Sequence, residues 1–170
     1  MKKLIFLIIA VLLAELTAET LASTEVKVVD GDSLEIGTRR IRLIGIDAPE
    51  LFQECFDENG KSYFCGQDAK DYLKKMIDEG ISQGFKVKCD VKDVDRYKRD
   101  LSVCHIENLN LNIEMLKAGY AMAYRNEAYQ KIEKRAKKAK KGIWRGKFMR
   151  PELYRALKRE REKQNPPEQK

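Results

Sequence analysis

The chain has 170 residues, of which 43% are hydrophobic and 36% charged. That length and balance fit one cored domain and leave no room for a repeat array or a low-complexity polymer. Its 34 Lys and Arg outnumber 27 Asp and Glu for a formal charge of +7, which favours an acidic polymer as partner.

The chain opens on Met1-Lys2-Lys3 followed by eleven apolar residues, Leu4 to Ala14, with Thr20-Leu21-Ala22 as a small-residue cleavage site. This is the pattern of a signal peptide over residues 1–22, so the protein is expected to be exported: secreted, periplasmic or held at the cell envelope. Eleven apolar residues are too few for a comfortable membrane span, which needs about 20. A retained N-terminal anchor is the alternative, and membrane contact is expected only in that case.

Next comes Asp30-Gly31-Asp32-Ser33 and then Arg42-Leu43-Ile44-Gly45-Ile46-Asp47-Ala48-Pro49-Glu50, with an alternating strand-like run at 40–46 between the acids. Three carboxylates (Asp32, Asp47, Glu50) and one arginine (Arg42) therefore fall at strand ends or just after turns, where they can converge. Carboxylate oxygens suit a hard divalent cation, and a guanidinium suits a phosphate. Metal and phosphate together point to phosphodiester chemistry. Taken one at a time, each acid reads more simply as a solvated turn residue, since Asp-Gly is a common hairpin turn.

Four cysteines follow: Cys55, Cys65, Cys89 and Cys104. In an oxidising compartment two disulfides are the default. Cys89 and Cys104 are equidistant from the Arg96-Tyr97 turn centre and would face each other across a hairpin. Cys55 and Cys65 would then close the loop before the first helix. The alternative is four free or metal-binding thiols; without a C-x-x-C pair, a zinc site is disfavoured.

Ala69, Tyr72, Leu73, Met76 and Ile77 mark a first helix ended by Gly80. Ile113 and Leu116 mark a short second one closed by Gly119. Tyr129, Ile132, Ala136 and Ala139 mark a third, with Gly142 and Ile143-Trp144 beyond it. His105 reads as a partly exposed strand residue without a catalytic role. From Pro151 the chain is densely charged. Arg155, Lys158, Arg159 and Arg161 could grip nucleic acid, but a solvated helix packing one apolar edge (Leu153, Tyr154, Leu157) on the domain is the favoured reading.

Taken together, Val-Val-Asp-Gly-Asp-Ser (28–33), Arg-Leu-Ile-Gly-Ile-Asp-Ala-Pro-Glu (42–50), Cys-Gly-Gln-Asp-Ala (65–69), Asp-Arg-Tyr-Lys-Arg (95–99), Asn-Ile-Glu-Met-Leu-Lys-Ala-Gly-Tyr-Ala (112–121) and Lys-Gly-Ile-Trp (141–144) resemble the staphylococcal-nuclease-like, or thermonuclease, family. The resemblance covers roughly residues 24–146. It implies an α+β, mainly β fold: a five-stranded OB-fold-type barrel with three α-helices. Strands are expected near 24–29, 33–36, 39–46, 85–92 and 100–106. The domains would be the signal peptide (1–22), the nuclease-like domain (23–146) and a charged C-terminal helix or tail (147–170).

The resemblance further implies one Ca2+ ion held by Asp32, Asp47 and the main-chain carbonyl of Ala48. Glu50 would be the general base or orient the attacking water, and Arg42 and Arg99 would bind the scissile phosphate. Tyr97 and Tyr124 would line the nucleotide pocket. The implied activity is calcium-dependent hydrolysis of DNA and RNA with low sequence specificity, leaving 3′-phosphates. A monomer with no obligate protein partner is expected. A binding module that kept the fold and lost catalysis is the alternative. Ser33 and Ala48 stand where threonine is usual or found in the founding member, and Lys98 stands where glycine is usual. If that turn requires φ > 0, Lys98 costs about 1 kcal/mol and bears on where Arg99 points.

Overall fold

The structure, a computed structural model, describes residues 25–165. The expected signal peptide at 1–22 lies outside the described residues. Strands β1 (Val26–Asp30), β2 (Ser33–Ile36) and β3 (Arg39–Leu43) form an antiparallel meander. β3 then pairs in parallel with β8 (Asp100–Ile106), which pairs antiparallel with β7 (Val87–Val94), giving the order β1-β2-β3-β8-β7. These five strands are the expected ones. Their hydrogen-bonded path leaves β1 and β7 as edges, so the sheet is a curled half-barrel of the OB type.

The expected strand over 39–46 is broken. It leaves the sheet after Leu43, turns through Ile44 and Gly45, and resumes as β4 (Ile46–Asp47). Gly45 sits at φ +81°, a conformation that a β-branched or bulky residue would resist. β4 then pairs with β10 (Met122–Ala123) instead of the main sheet. The break matters for chemistry, because it brings Asp47 back toward Asp32. Short strands β5 (Glu54–Phe56), β6 (Ser62–Phe64) and β11 (Lys147–Phe148) form a separate three-stranded sheet, and β9 (Leu109–Asn110) folds back to pair antiparallel with the end of β8. At two or three residues each, these carry too little periodicity to be read from sequence.

Helix α1 (Cys65–Ser82) buries Cys65, Ala69, Leu73, Met76 and Ile77 along one stripe. It runs past Gly80 rather than ending there, because Ile106 Cδ1 packs where a Cβ on residue 80 would sit (2.3 Å). The absent side chain serves close packing, and the helix stops at Gln83-Gly84. Helix α2 (Leu111–Lys117) is capped by Asn110, whose side chain accepts from the Ile113 N–H, and α3 (Glu127–Lys138) is capped likewise by Asn126. A 3₁₀ turn (Gly142–Arg145) leads to β11 and then to α4 (Pro151–Gln164).

The main core joins Leu34, Ile41, Leu43 and Ile46 from the strands to Leu73, Ile77, Leu111, Met115 and Leu116 from the helices. A second cluster gathers Cys55, Cys65, Met122 and Ile143 under Trp144 and Phe148. Both expected disulfides are present, Cys55–Cys65 and Cys89–Cys104. Cys89 and Cys104 are direct cross-strand partners, and the hairpin's bulge lies nearer its tip, between Val91 and Asp93. His105 lies half-buried on β8.

Candidate active site

Asp32 is aimed by its own turn. The Asp30 side chain accepts the Asp32 N–H at 3.0 Å, the local bond that makes Asp favourable at such turns. Arg42 stands on β3 opposite Ser33. Its guanidinium donates to Asp32 Oδ1 at 2.6 Å and to Asp47 Oδ1 at 2.8 Å, so one cation already spans both acids. Asp32 Oδ2 accepts the Ala48 N–H at 2.9 Å. Asp32 and Asp47 are only 3% and 4% exposed. Burial pushes the Asp32 carboxyl up to about 7, against the pull of Arg42 and of the Ala48 N–H. A carboxylate so reluctant to ionise is under-compensated, and further positive charge beside it would be stabilising.

The Glu50 loop is fixed through its backbone. The Glu50 N–H donates to Gln53 Oε1 (3.3 Å) and its carbonyl accepts the Gln53 N–H (2.8 Å). The Gln53 carbonyl in turn accepts the Cys65 N–H at the start of α1. Gly66 completes the contact: a Cβ there would lie 1.8 Å from the Glu50 carbonyl oxygen, so only glycine lets α1 press against this loop. The Glu50 side chain is left 38% exposed at the mouth of a cleft.

That cleft, about 510 Å³ in volume, has Glu50 and Arg42 on its barrel side. Tyr97, Arg96 and Arg99 come from the β7–β8 hairpin tip, and Tyr124 from the loop after β10. Arg40, Arg155, Arg159 and Asp30 complete the lining, making six arginines against two acids. Such a surface is matched to a polyanion. Tyr97 is 56% exposed, with the guanidiniums of Arg96 and Arg99 at 4.8 and 5.7 Å from its ring centre. Tyr124 is 36% exposed with Arg125 over its ring at 5.0 Å, so both tyrosines present a partly exposed ring beside a guanidinium.

Lys98 adopts φ +59°, so the turn does require the left-handed conformation. Arg99 nonetheless lines the cleft, because Asp95 holds it. Asp95 Oδ1 accepts the Tyr97 and Arg99 N–H groups, and Asp95 Oδ2 accepts Arg99 Nε at 2.8 Å. Slight burial pushes the Asp95 carboxyl up, but the Arg99 bonds and the Tyr97 N–H outweigh it and hold the group below its ordinary value. The strain at Lys98 is thus absorbed one residue away from the guanidinium.

The structure therefore brings Asp32, Arg42, Asp47, Ala48 and Glu50 together and sets Tyr97, Arg99 and Tyr124 around the same opening. The donor set of Asp32, Asp47 and the Ala48 carbonyl is all oxygen, which suits calcium. Two carboxylates already bridged by one guanidinium lie within reach of a single cation. No group of three or more His, Cys, Asp or Glu side chains able to hold a metal occurs among the described residues. The protein's share of a calcium shell would thus be small, with solvent or substrate oxygens supplying the rest.

Two residues escaped sequence reading, and a third was named there without its partners. Gln53 is fully buried and, beyond holding Glu50, donates to the Met149 carbonyl at 2.6 Å. Asn112 is fully buried and ties α2 to the turn after β3: its Oδ1 accepts the Cys104 N–H, and its Nδ2 donates to the carbonyls of Ile44 and Ser102. Its only sequence signal is a polar residue inside an apolar helix face. Arg155 corrects the reading of the tail. Leu153 and Leu157, expected to pack as an apolar edge, are 49% and 40% exposed. Instead Arg155 reaches back to bond Glu50 Oε1 at 2.8 Å and Asp47 Oδ2 at 2.9 Å. Pro151 is the one fully buried residue of α4, Tyr154 is half-buried, and two ion pairs from Arg155 join the helix to the site.

Comparison with known proteins gives the same answer as the geometry. The chain is 30% identical over 125 residues to the succinoglycan biosynthesis protein ExoI of Rhizobium meliloti, covering 71% of this chain and 63% of that one. It is 36% identical over 136 residues to the endonuclease YhcR of Bacillus subtilis, covering 69% of this chain but 11% of that much longer protein. It is 28% identical over 130 residues to the thermonuclease of Staphylococcus hyicus, covering 70% and 73%. The chain thus spans less than two thirds of the first two of these relatives. Residues 40–146, which carry Arg42, Asp47, Glu50 and the Arg99 hairpin, match the staphylococcal nuclease homologue family, and the chain belongs to that family.

Proposed function

We propose that this protein is an exported, calcium-dependent nuclease that hydrolyses phosphodiester bonds of DNA and RNA with low sequence specificity and leaves 3′-phosphates. The observation that carries this reading is the pairing of Asp32 and Asp47 on one guanidinium, with the exposed carboxylate of Glu50 beside them in an arginine-lined cleft. Relatives named as endonucleases and a thermonuclease support it. Two disulfides support export, since such bonds persist in oxidising compartments.

Asp32, Asp47 and the Ala48 carbonyl would hold the calcium ion, which supplies Lewis-acid charge stabilisation and a template for the phosphate. Arg42 and Arg99 take the non-bridging phosphate oxygens and neutralise the charge that grows there. Glu50 would accept a proton from the attacking water as its oxygen bonds to phosphorus; the bond to the 5′-oxygen breaks, that oxygen takes a proton from solvent, and the phosphate stays on the 3′ side. Tyr97 and Tyr124 offer ring faces to bases without hydrogen-bond readout, which fits low specificity. The alternative of a non-catalytic binding module is disfavoured by Asp32 and Asp47, because buried acids beside a phosphate site only repel unless a cation joins them.

The test incubates purified protein with single-stranded DNA, titrates calcium in and then removes it with chelator. Cleavage should follow calcium. Glu50→Gln should lower turnover roughly 10²–10⁴-fold while largely sparing nucleotide binding, the range of a lost general base. Tight binding without cleavage under every divalent ion tried would move the protein to the binding-module class.

A further inference from the structure

Arg155 lies on α4, beyond the family-matched segment that ends at residue 146, yet it makes two ion pairs inside the site. Building on the nuclease reading above, we propose that Arg155 is a third phosphate-binding arginine of this site, parked on the carboxylates until cation and substrate arrive.

Every carboxylate oxygen of Asp32 and Asp47 is already bonded. Arg42 holds Oδ1 of both, the Ala48 N–H holds Asp32 Oδ2, and Arg155 holds Asp47 Oδ2. A cation that takes both acids competes with the guanidiniums for the same oxygens. Arg155 is the easier to release. Its side chain is 29% exposed against 19% for Arg42, and it hangs on the last helix while Arg42 sits within the sheet. Once released it is already in the substrate's cleft, which it lines together with Arg159 one helical turn further on.

Charge balance supports the same exchange. Asp32, Asp47 and Glu50 against Arg42 and Arg155 leave one negative charge. A divalent cation turns this into one positive charge, and a single phosphodiester closes it to neutral. Without Arg155 the same count is only neutral once the cation is loaded and turns negative when the phosphodiester binds. Two parallel N–H donors, now spent on Glu50 and Asp47, are also the fork that fits a phosphate.

The exchange predicts opposite signs for two binding constants, neither of which needs turnover. Full-length wild type, Arg155→Ala and Arg155→Lys would be titrated with calcium alone by calorimetry. Each would then be titrated with thymidine 3′-monophosphate, a product-class probe with no bond left to cut, in saturating calcium. Arg155→Ala should bind calcium several-fold more tightly, having lost a competitor. It should bind the nucleotide roughly 10–100-fold more weakly, the effect of a lost charge-assisted contact. Arg155→Lys, a point charge without the fork, should fall between on the nucleotide. It also decides the matter if the alanine variant does not fold.

Unchanged or weaker calcium binding in the variants, or unchanged nucleotide binding, would overturn the proposal. Wild type that cleaves DNA in calcium while Arg155→Ala binds both ligands like wild type sinks this inference alone. Wild type that neither binds calcium nor cleaves sinks the nuclease reading and this one with it.

Discussion

On the barrel side of the cleft, Asp32, Arg42 and Asp47 are carried by strands or strand ends, and the two acids lie almost wholly buried. On the α4 side, Arg155 is carried by a helix with two exposed leucines, and Arg159 at its surface makes no ion pair among the described residues. The first side places acids where they cannot move apart. The second places cations where they can change partners. Catalysis by a metal-assisted nuclease needs both, because a cation-binding floor must be fixed before any cation arrives, while the charges meeting a polymer have to yield as it enters and leaves.

The sharpest way to break that contrast is to remove a fixed acid. Asp32→Ala should lower turnover by roughly 10²–10³-fold or more and weaken calcium binding, read by single-stranded DNA cleavage and by calorimetry. A variant keeping near-normal calcium affinity would show that the buried floor is not the cation's seat. By contrast, Arg155→Ala should tighten calcium binding, so the two walls should respond with opposite sign.

The hairpin tip sharpens the comparison from a third side. Lys98→Gly should relieve the left-handed backbone cost and stabilise the protein by about 1 kcal/mol in chemical denaturation. Activity should hold, because Asp95 and not residue 98 aims Arg99. A large change in rate would mean that the turn itself sets the guanidinium. The smallest expected effect is in acid. The Asp95 carboxyl is held below its ordinary value, so its contribution is present above the unfolded value and is lost as pH falls through the lower folded one. Amide exchange at Tyr97 and Arg99 should therefore rise at the acid end, with the tip loosening while the disulfide-tied strand pair below it stays closed.

Much of this molecule was legible before any fold was seen. Alternation marked the strand around 40–46, the other main strands followed from the family resemblance, and 3.6-residue spacing marked α1 to α3, because each helix buries one face in a shared core. Asp32, Arg42, Asp47 and Glu50 were legible as a group since turn residues and strand ends confine them to nineteen residues. Cys89 and Cys104 could be paired from a symmetric hairpin because their register is local to it. The break at Gly45 was not legible, since a positive-φ glycine inside an apolar run looks the same as one within a strand until β10 competes for the pairing.

Gln53 and Asn112 were invisible for a related reason. A polar side chain reads as exposed until a specific set of backbone groups closes around it, and those groups come from distant segments. Arg155 is the extreme case. Its partners lie 105 and 108 residues away, and a charged helix among charged residues carries no signal of which charge turns inward. Local periodicity and turn chemistry thus determined the helices and the acid cluster, and the ordered family motifs implied the barrel. Tertiary contact alone decided which cation covers that cluster, because long-range charge pairing leaves no period in the chain.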